Sequence, residues 1–422
     1  MQQRRLFSSR RSEHRSTPAP AAPGRRDVGL PIVALLALAS GIFVAHTAEF
    51  LPGGLVPLIA DDLGIDVGLV GQMVSVFAFT VVLTTAPLAL LTGRISRKTL
   101  VVASLALMSL SNIAVSAAAS FEGILVARVG GALAHGLFWA VVVTYAVEIV
   151  PREKLGRAMA FTGAGSSLAG VLGIPIGNAL GEFLGWREAF LAVALAGAVI
   201  TLVLWRWLPP IDTRRRTPAA PHRPIVRDRS LVVVTVLCLL ILVLVLGQTS
   251  FSPYTTVWLG VVAGLDGGAI PVYLFITGIA GAVGALAAGH LYDRSPRATF
   301  VLAGSMLTAA MCLLPGLASE GLSPQLAAVA ICSSASFAGM PMMLQARMMQ
   351  TVPPAMRRVA GAVQTTVFNL AIGGGALVGG LVLSGAGVQV LPWVAAGAAA
   401  ATVLIAVVGE SARSRMPSRS RR

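Results

Sequence analysis

Twelve apolar stretches of about twenty residues or more recur along the chain, at 29–59, 68–92, 99–119, 122–148, 157–182, 187–208, 231–260, 268–290, 298–318, 322–350, 358–384 and 388–409. Coiled at ~1.5 Å per residue, each is long enough to cross the ~30 Å hydrocarbon layer of a bilayer, where a helix satisfies its own backbone. The expected fold is an all-α membrane protein of twelve transmembrane helices. Composition agrees. The chain is 56% hydrophobic and 12% charged, against ~25% charged in an average soluble domain. So few charges do not cover a water-exposed surface, and a soluble class is excluded.

The net charge of +15 over 422 residues would fit a nucleic-acid partner, but its distribution argues against one. With the N-terminus inside, 28 of the 32 basic residues fall in the tails and loops of one side, and only Arg187 falls in a loop of the other. A basic bias of this kind marks the cytoplasmic face, so both termini are expected there. Residues 1–28, rich in Arg, Ser and Pro, read as a disordered basic tail, and 410–422 as a second one. "RRLF" near the start is similar to a twin-arginine export signal, but its apolar stretch begins too late. Cys238, Cys312 and Cys332 lie in apolar segments and read as reduced core residues.

The longest connection, 209–230, is basic and proline-rich and reads as a linker that parts a six-helix bundle at 29–208 from a second at 231–409. The two bundles repeat each other at an offset of about 200 residues. "TAEFLP" (47–52) stands opposite "QTSFSP" (248–253), Arg94 and Arg97 opposite Arg294 and Arg297, and "IVP" before the fifth span opposite "TVP" before the eleventh. Two repeated halves around a central cavity are an architecture of secondary carriers.

The loop after the eighth span, "GHLYDRSPR", carries Gly289, Asp293, Arg294 and Arg297 as G-x-x-x-D-R-x-x-R. It resembles the cytoplasmic loop signature of the major facilitator superfamily, which implies charge pairs that latch the halves. The first-half loop keeps Arg94, Arg97 and Lys98 but has Ala89 and Gly93 where the glycine and acid belong. Topology charges alone would also account for these bases.

The fifth span places Gly165, Ala169, Gly173, Gly177 and Gly181 four apart and adds Pro175. Small residues at this spacing let another helix come close, and a proline bends a helix. Gly173, Pro175, Gly177 and Gly181 together resemble the antiporter signature of the twelve-helix drug:proton branch of the superfamily, although one residue separates Gly173 from Pro175. "ALAHGLFW" in the fourth span and "TAEFLPGGLVPLIADDLG" in the first resemble the sugar-efflux, arabinose-efflux-like and chloramphenicol-exporter subgroup. The resemblance implies a proton-coupled exporter of a small molecule, sugar or drug-like, with a proton gradient as energy source. It implies no cofactor and no metal, and a carrier that works as a monomer.

Ionisable groups inside spans are costly and commonly functional. Glu49 falls in the outer half of the first span, and His46 lies three residues earlier on the same helical face. Arg128, His135 and Trp139 in the fourth span follow one stripe, being seven and four residues apart. Burial favours a neutral acid and a nearby guanidinium favours a charged one. Glu49 with Arg128, and His46 and His135 as relays, are therefore the proton-coupling candidates; a purely structural Glu49–Arg128 pair is the alternative. The repeat places Ser250 where the second half would need an acid. That half offers Gln248, Thr249, Tyr254, Met342, Met343, Gln345, Gln364 and Asn369 instead. Trp139, Gln248, Tyr254, Gln364 and Asn369 are the substrate-binding candidates.

Two transport readings remain, export by proton antiport and proton-linked uptake. An intramembrane enzyme fits poorly, since "HTAE" lacks the H-E-x-x-H metal geometry and "GAGSS" has no histidine in a partner context. A membrane sensor would be expected to add a sizeable soluble domain.

Overall fold

The computed structural model describes residues 31–150, 154–210, 230–317, 322–353 and 357–414. The expected tail at 1–28, residues 211–229 of the linker and 415–422 of the second tail lie outside them. Twelve helices among the described residues are long and apolar enough to cross a membrane. They are α1 (Ile32–Leu63), α2 (Val67–Leu91), α3 (Arg97–Ala117), α4 (Phe121–Glu148), α5 (Met159–Leu184) and α6 (Trp186–Trp207). Then follow α7 (Val233–Val261), α8 (Ala269–Arg294), α9 (Pro296–Leu317), α10 (Pro324–Thr351), α11 (Val359–Ala386) and α12 (Val388–Val408).

Polar punctuation sets the helix ends. Asp66 accepts from Gly68 N at 2.8 Å to cap α2, and Ser96, Ser120 and Ser323 cap α3, α4 and α10 in the same way. Each side chain takes up an N–H that the first turn leaves without a helical partner. Gly64 closes α1 with φ 63°, a left-handed conformation that costs glycine little.

Prolines shape the interiors. A proline has no N–H for the carbonyl four residues before it. Pro52 and Pro57 therefore free the carbonyls of Ala48 and Gly53 in α1, and Pro175 frees that of Val171 in α5. In α5 the chain answers with one π-helical turn at Ala169–Gly173, where Ile174 N donates to Ala169 O, five residues back. This register steps past the missing donor. In α7 a 3₁₀ turn at Ser252–Tyr254 carries Pro253 and interrupts the span.

Helices α1–α6 pack chiefly among themselves, as do α7–α12, and the two sets cross at α2 with α11, α5 with α8 and α1 with the last turns of α7. The loops carrying Arg94, Arg97, Arg294 and Arg297 define a basic end of the bundle. Side-chain contacts joining the halves lie toward the opposite end. Thr256 donates to Gly53 O at 3.2 Å, and Tyr254 Oη donates to Ala376 O at 3.0 Å while reaching Gly68 O at 3.4 Å. Gly278 of α8 lies so close to Gly170 O and Val171 that a β-carbon there would come within 2.5 Å of the carbonyl. Only glycine permits this crossing. Toward the basic end the same helices expose Leu90, Leu91 and Leu286.

Candidate functional site

The π-turn and the small-residue stripe of α5 pack against α1. Gly173 faces the Thr47 hydroxyl, and Gly177 and Gly181 face Leu51 and Leu55. Thus α1 is held between α5 on one side and α4 on another, and α4 carries the other ionisable residues of the span interior.

Glu49 (7% exposed), Arg128 (2%) and His135 (3%) form one buried cluster with the partly exposed His46. The Glu49 carboxylate lies 3.5 Å from His135 Nε2 and 4.0 Å from His46 Nδ1. Arg128 does not give its hydrogen bonds to that carboxylate. Its Nη1 donates to Ala48 O at 2.9 Å and its Nη2 to the backbone oxygen of Glu49 at 3.1 Å. The guanidinium also lies over the Phe77 ring, 4.2 Å from its centroid, where the π-face stabilises a cation. Aromatic rings enclose the imidazoles. His46 packs on Phe50 at 5.0 Å and on Trp139 at 6.1 Å, and His135 on Phe77 at 5.1 Å and on Trp139 at 6.2 Å.

Such a cluster separates two tasks. The fixed cation is spent on backbone oxygens, and the acid faces two groups that are themselves proton acceptors. Glu49 can gain or lose a proton without breaking a bond to Arg128.

Beyond Phe50 a cavity of about 210 Å³ opens between α1 and the interrupted part of α7. Gln248, Thr255, Thr256, Tyr273, Thr277 and Ser333 bring hydroxyls and an amide to its wall, Phe50 and Phe251 bring rings, and no lining residue is charged. Gln248 Oε1 is buried and makes no hydrogen bond among the described residues. Walls of this kind suit an uncharged ligand with many hydroxyls and an apolar face.

The other candidates are spread out. Trp139 belongs with the imidazoles. Tyr254 is fully buried and bridges α2, α7 and α11. Gln364 is buried with its Oε1 unbonded among the described residues, and the Asn369 amide donates to Thr365 O at 3.0 Å, one turn back. At the basic end Arg97 pairs with Glu148 of α4, Lys98 donates to Leu208 O at 2.7 Å, and Arg294 meets His290 at 2.6 Å. These three contacts stay within their own halves. Gly289 has open space around its α-carbon, and Arg94, Asp293 and Arg297 lie at the same end. Sequence reading missed Phe50, Thr255, Thr256, Tyr273, Thr277 and Ser333. They come from four helices and share no spacing; only the three-dimensional arrangement collects them.

A sequence model described as Major Facilitator Superfamily matches residues 38–376. A probable sugar efflux transporter of Mannheimia succiniciproducens is 29% identical over 375 residues, covering 88% of this chain and 92% of that protein. A second, from Helicobacter pylori (strain G27), is 30% identical over 341 residues, covering 81% of this chain and 86% of its own. Among solved structures, a bacterial homologue of the human lysosomal transporter Spinster, in an inward-facing and unoccupied conformation, superposes with a TM-score of 0.67. That match covers 91% of this chain and 96% of the other at 18% identity.

Proposed function

The chain belongs to the major facilitator superfamily, and from that premise we propose that it exports a neutral sugar across the cytoplasmic membrane in exchange for protons, by alternating access. The observation that carries the reading is the pairing of two sites on one helix. On α1, Glu49 stands among His46, His135 and Arg128, and the adjacent Phe50 lines an uncharged, hydroxyl-rich cavity. A proton site and a ligand site on the same helix are what coupled exchange requires, because each occupant can then bias the same moving part. The relatives named as sugar efflux transporters support the class of cargo, and the lining supports its neutrality.

The basic end takes the cytoplasmic side in this reading, by the bias of lysine and arginine. The halves then meet on the outer side. The α5 stripe against α1 and the α5–α8 crossing form the hinge region. Arg94, Arg97, Lys98, Gly289, Asp293, Arg294 and Arg297 act as a cytoplasmic latch once the halves close there. The cargo and protons are the working partners, in a lipid bilayer and as a monomer.

A panel of radiolabelled neutral sugars, with a chloramphenicol-like compound, loaded into a pump-deficient bacterial host tests this directly. Expression should speed the exit of at least one sugar, and a protonophore should abolish the gain. Export of the drug alone, or sugar exit indifferent to the protonophore, would refute it.

A further inference from the structure

We propose that Arg128 is a positioning residue that closes the break made by Pro52, its guanidinium replacing the missing proline N–H at the carbonyl of Ala48, and that this clamp sets where the Glu49 carboxyl stands. In an α-helix the carbonyl of residue 48 would accept from the N–H of residue 52, and Pro52 has none. Ala48 is 3% exposed, so water does not serve its oxygen well, and an unpaired buried carbonyl is unfavourable. Arg128 Nη1 meets that oxygen at 2.9 Å, and Nη2 of the same fork meets Glu49 O at 3.1 Å. A planar guanidinium offers two parallel donors from one rigid group, which neither lysine nor a hydroxyl does.

The second proline of α1 is served differently. Pro57 frees Gly53 O, which accepts from Thr256 of the other half. That bond parts when the halves part. The Arg128 bonds lie within one half and persist through such a movement, so α1 and α4 move together around residues 48 and 49. Glu49 therefore keeps its place beside His135 and His46 while its own carboxyl remains unclamped. The charged and titratable groups facing this point are Glu49 and His46 of α1 and His135 of α4 itself; α2 adds Phe77 and holds no ionisable residue. The rival account makes Arg128 the counter-ion of the Glu49 carboxylate. It predicts different rescues.

The experiment is a melting-temperature cycle on purified full-length protein, which needs no substrate. Arg128→Gln should lower the melting temperature by several degrees, and Arg128→Lys by most of that loss despite keeping the charge. Pro52→Ala, which restores the N–H, should remove more than half of the Arg128→Gln loss in the double variant; Glu49→Gln should not. If Arg128→Gln alone yields no folded protein, the readout becomes recovery of folded protein in the Pro52→Ala background. An equal loss with and without Pro52, full retention in Arg128→Lys, or rescue by Glu49→Gln instead would overturn the clamp. A Pro52→Ala protein that does not fold would overturn it as well. The positioning part rests on the transport reading above. Arg128→Lys should displace the pH profile of sugar export while exchange of sugar across the membrane persists, and an unchanged profile would overturn that part. Wild-type protein that exports no sugar refutes the transport reading instead, and the melting cycle still decides the clamp.

Discussion

The bond from Thr256 to Gly53 O joins the two halves at 3.2 Å, and Thr256 is 2% exposed. Replacing it by valine keeps the branched shape and removes the hydroxyl. Pro57 leaves Gly53 O without a helical donor, so the valine variant leaves a part-buried carbonyl without its donor. For a group only partly shielded from water the cost is ~1 kcal/mol, and it falls chiefly on the conformation in which the halves meet at this end. When they separate, water reaches the oxygen and the penalty disappears. The ratio of closed to open molecules should thus fall ~5-fold. Spin labels at Glu122→Cys and Leu322→Cys, with Cys238, Cys312 and Cys332 replaced by serine, report the separation of the halves at that end. The distance distribution should gain a long component in Thr256→Val and stay short in Thr256→Ser, which keeps a donor. Adding Pro57→Ala should return the valine variant toward the short distance, because the helix then supplies its own N–H. A valine variant with the same distribution as the parent would refute the assignment of this bond as a closure contact. So would a valine effect that persists unchanged with Pro57→Ala.

Glu49→Gln, which fixes a neutral shape at the acid, should abolish sugar accumulation driven by a pH gradient and leave exchange intact; gradient-driven transport at the wild-type rate would remove Glu49 from the coupling role. Gly278→Leu should cut transport at least tenfold by forcing α8 away from the π-turn of α5, where even a β-carbon comes within 2.5 Å of Gly170 O; retained rates in proteoliposomes would count against that crossing as a hinge. Asp293→Asn should slow transport in proteoliposomes with little change in melting temperature, and an unchanged rate would leave Asp293 a topology residue. Thiol labelling of intact cells should reach cysteines placed at Asp61 or Asp66 and not one placed at Arg215; the reverse pattern would invert the orientation.

The helical class was plain in the sequence because lipid forces each span to be long and apolar, a constraint that leaves little ambiguity. The caps obey an equally local rule, an Asp or Ser before an apolar run serving the first free N–H groups, but the hydropathy pattern alone did not single them out. Glu49, Arg128, His46 and His135 stood out because ionisable groups are rare in such spans, and the structure gathers all four. What they do to one another was not legible. The stripe of α4 brings Arg128 to α1, but the bonding depends on which oxygens Pro52 leaves open, and nothing in the spacing tells a carboxylate from a carbonyl. The cavity was harder still. Threonine and serine in a span ordinarily bond to their own backbone one turn back, as Thr277 does to Tyr273 O at 3.0 Å. Their collection around one space follows from helix crossings that glycine contacts set. Tyr254 shows the limit from the other side, a polar aromatic that resembles a ligand contact and is spent on joining helices.

The division of side chains along α1 bears on how such a chain diversifies. Glu49 looks toward α4 and Phe50 toward the cavity, and most of the cavity wall comes from the second half. On the proposed reading, substitutions in α7, α8 and α10 retune the cargo while leaving the cluster around Glu49 untouched. A chimera that joins the first half of one exporter to the second half of another should inherit its appetite from the latter and its engine from the former.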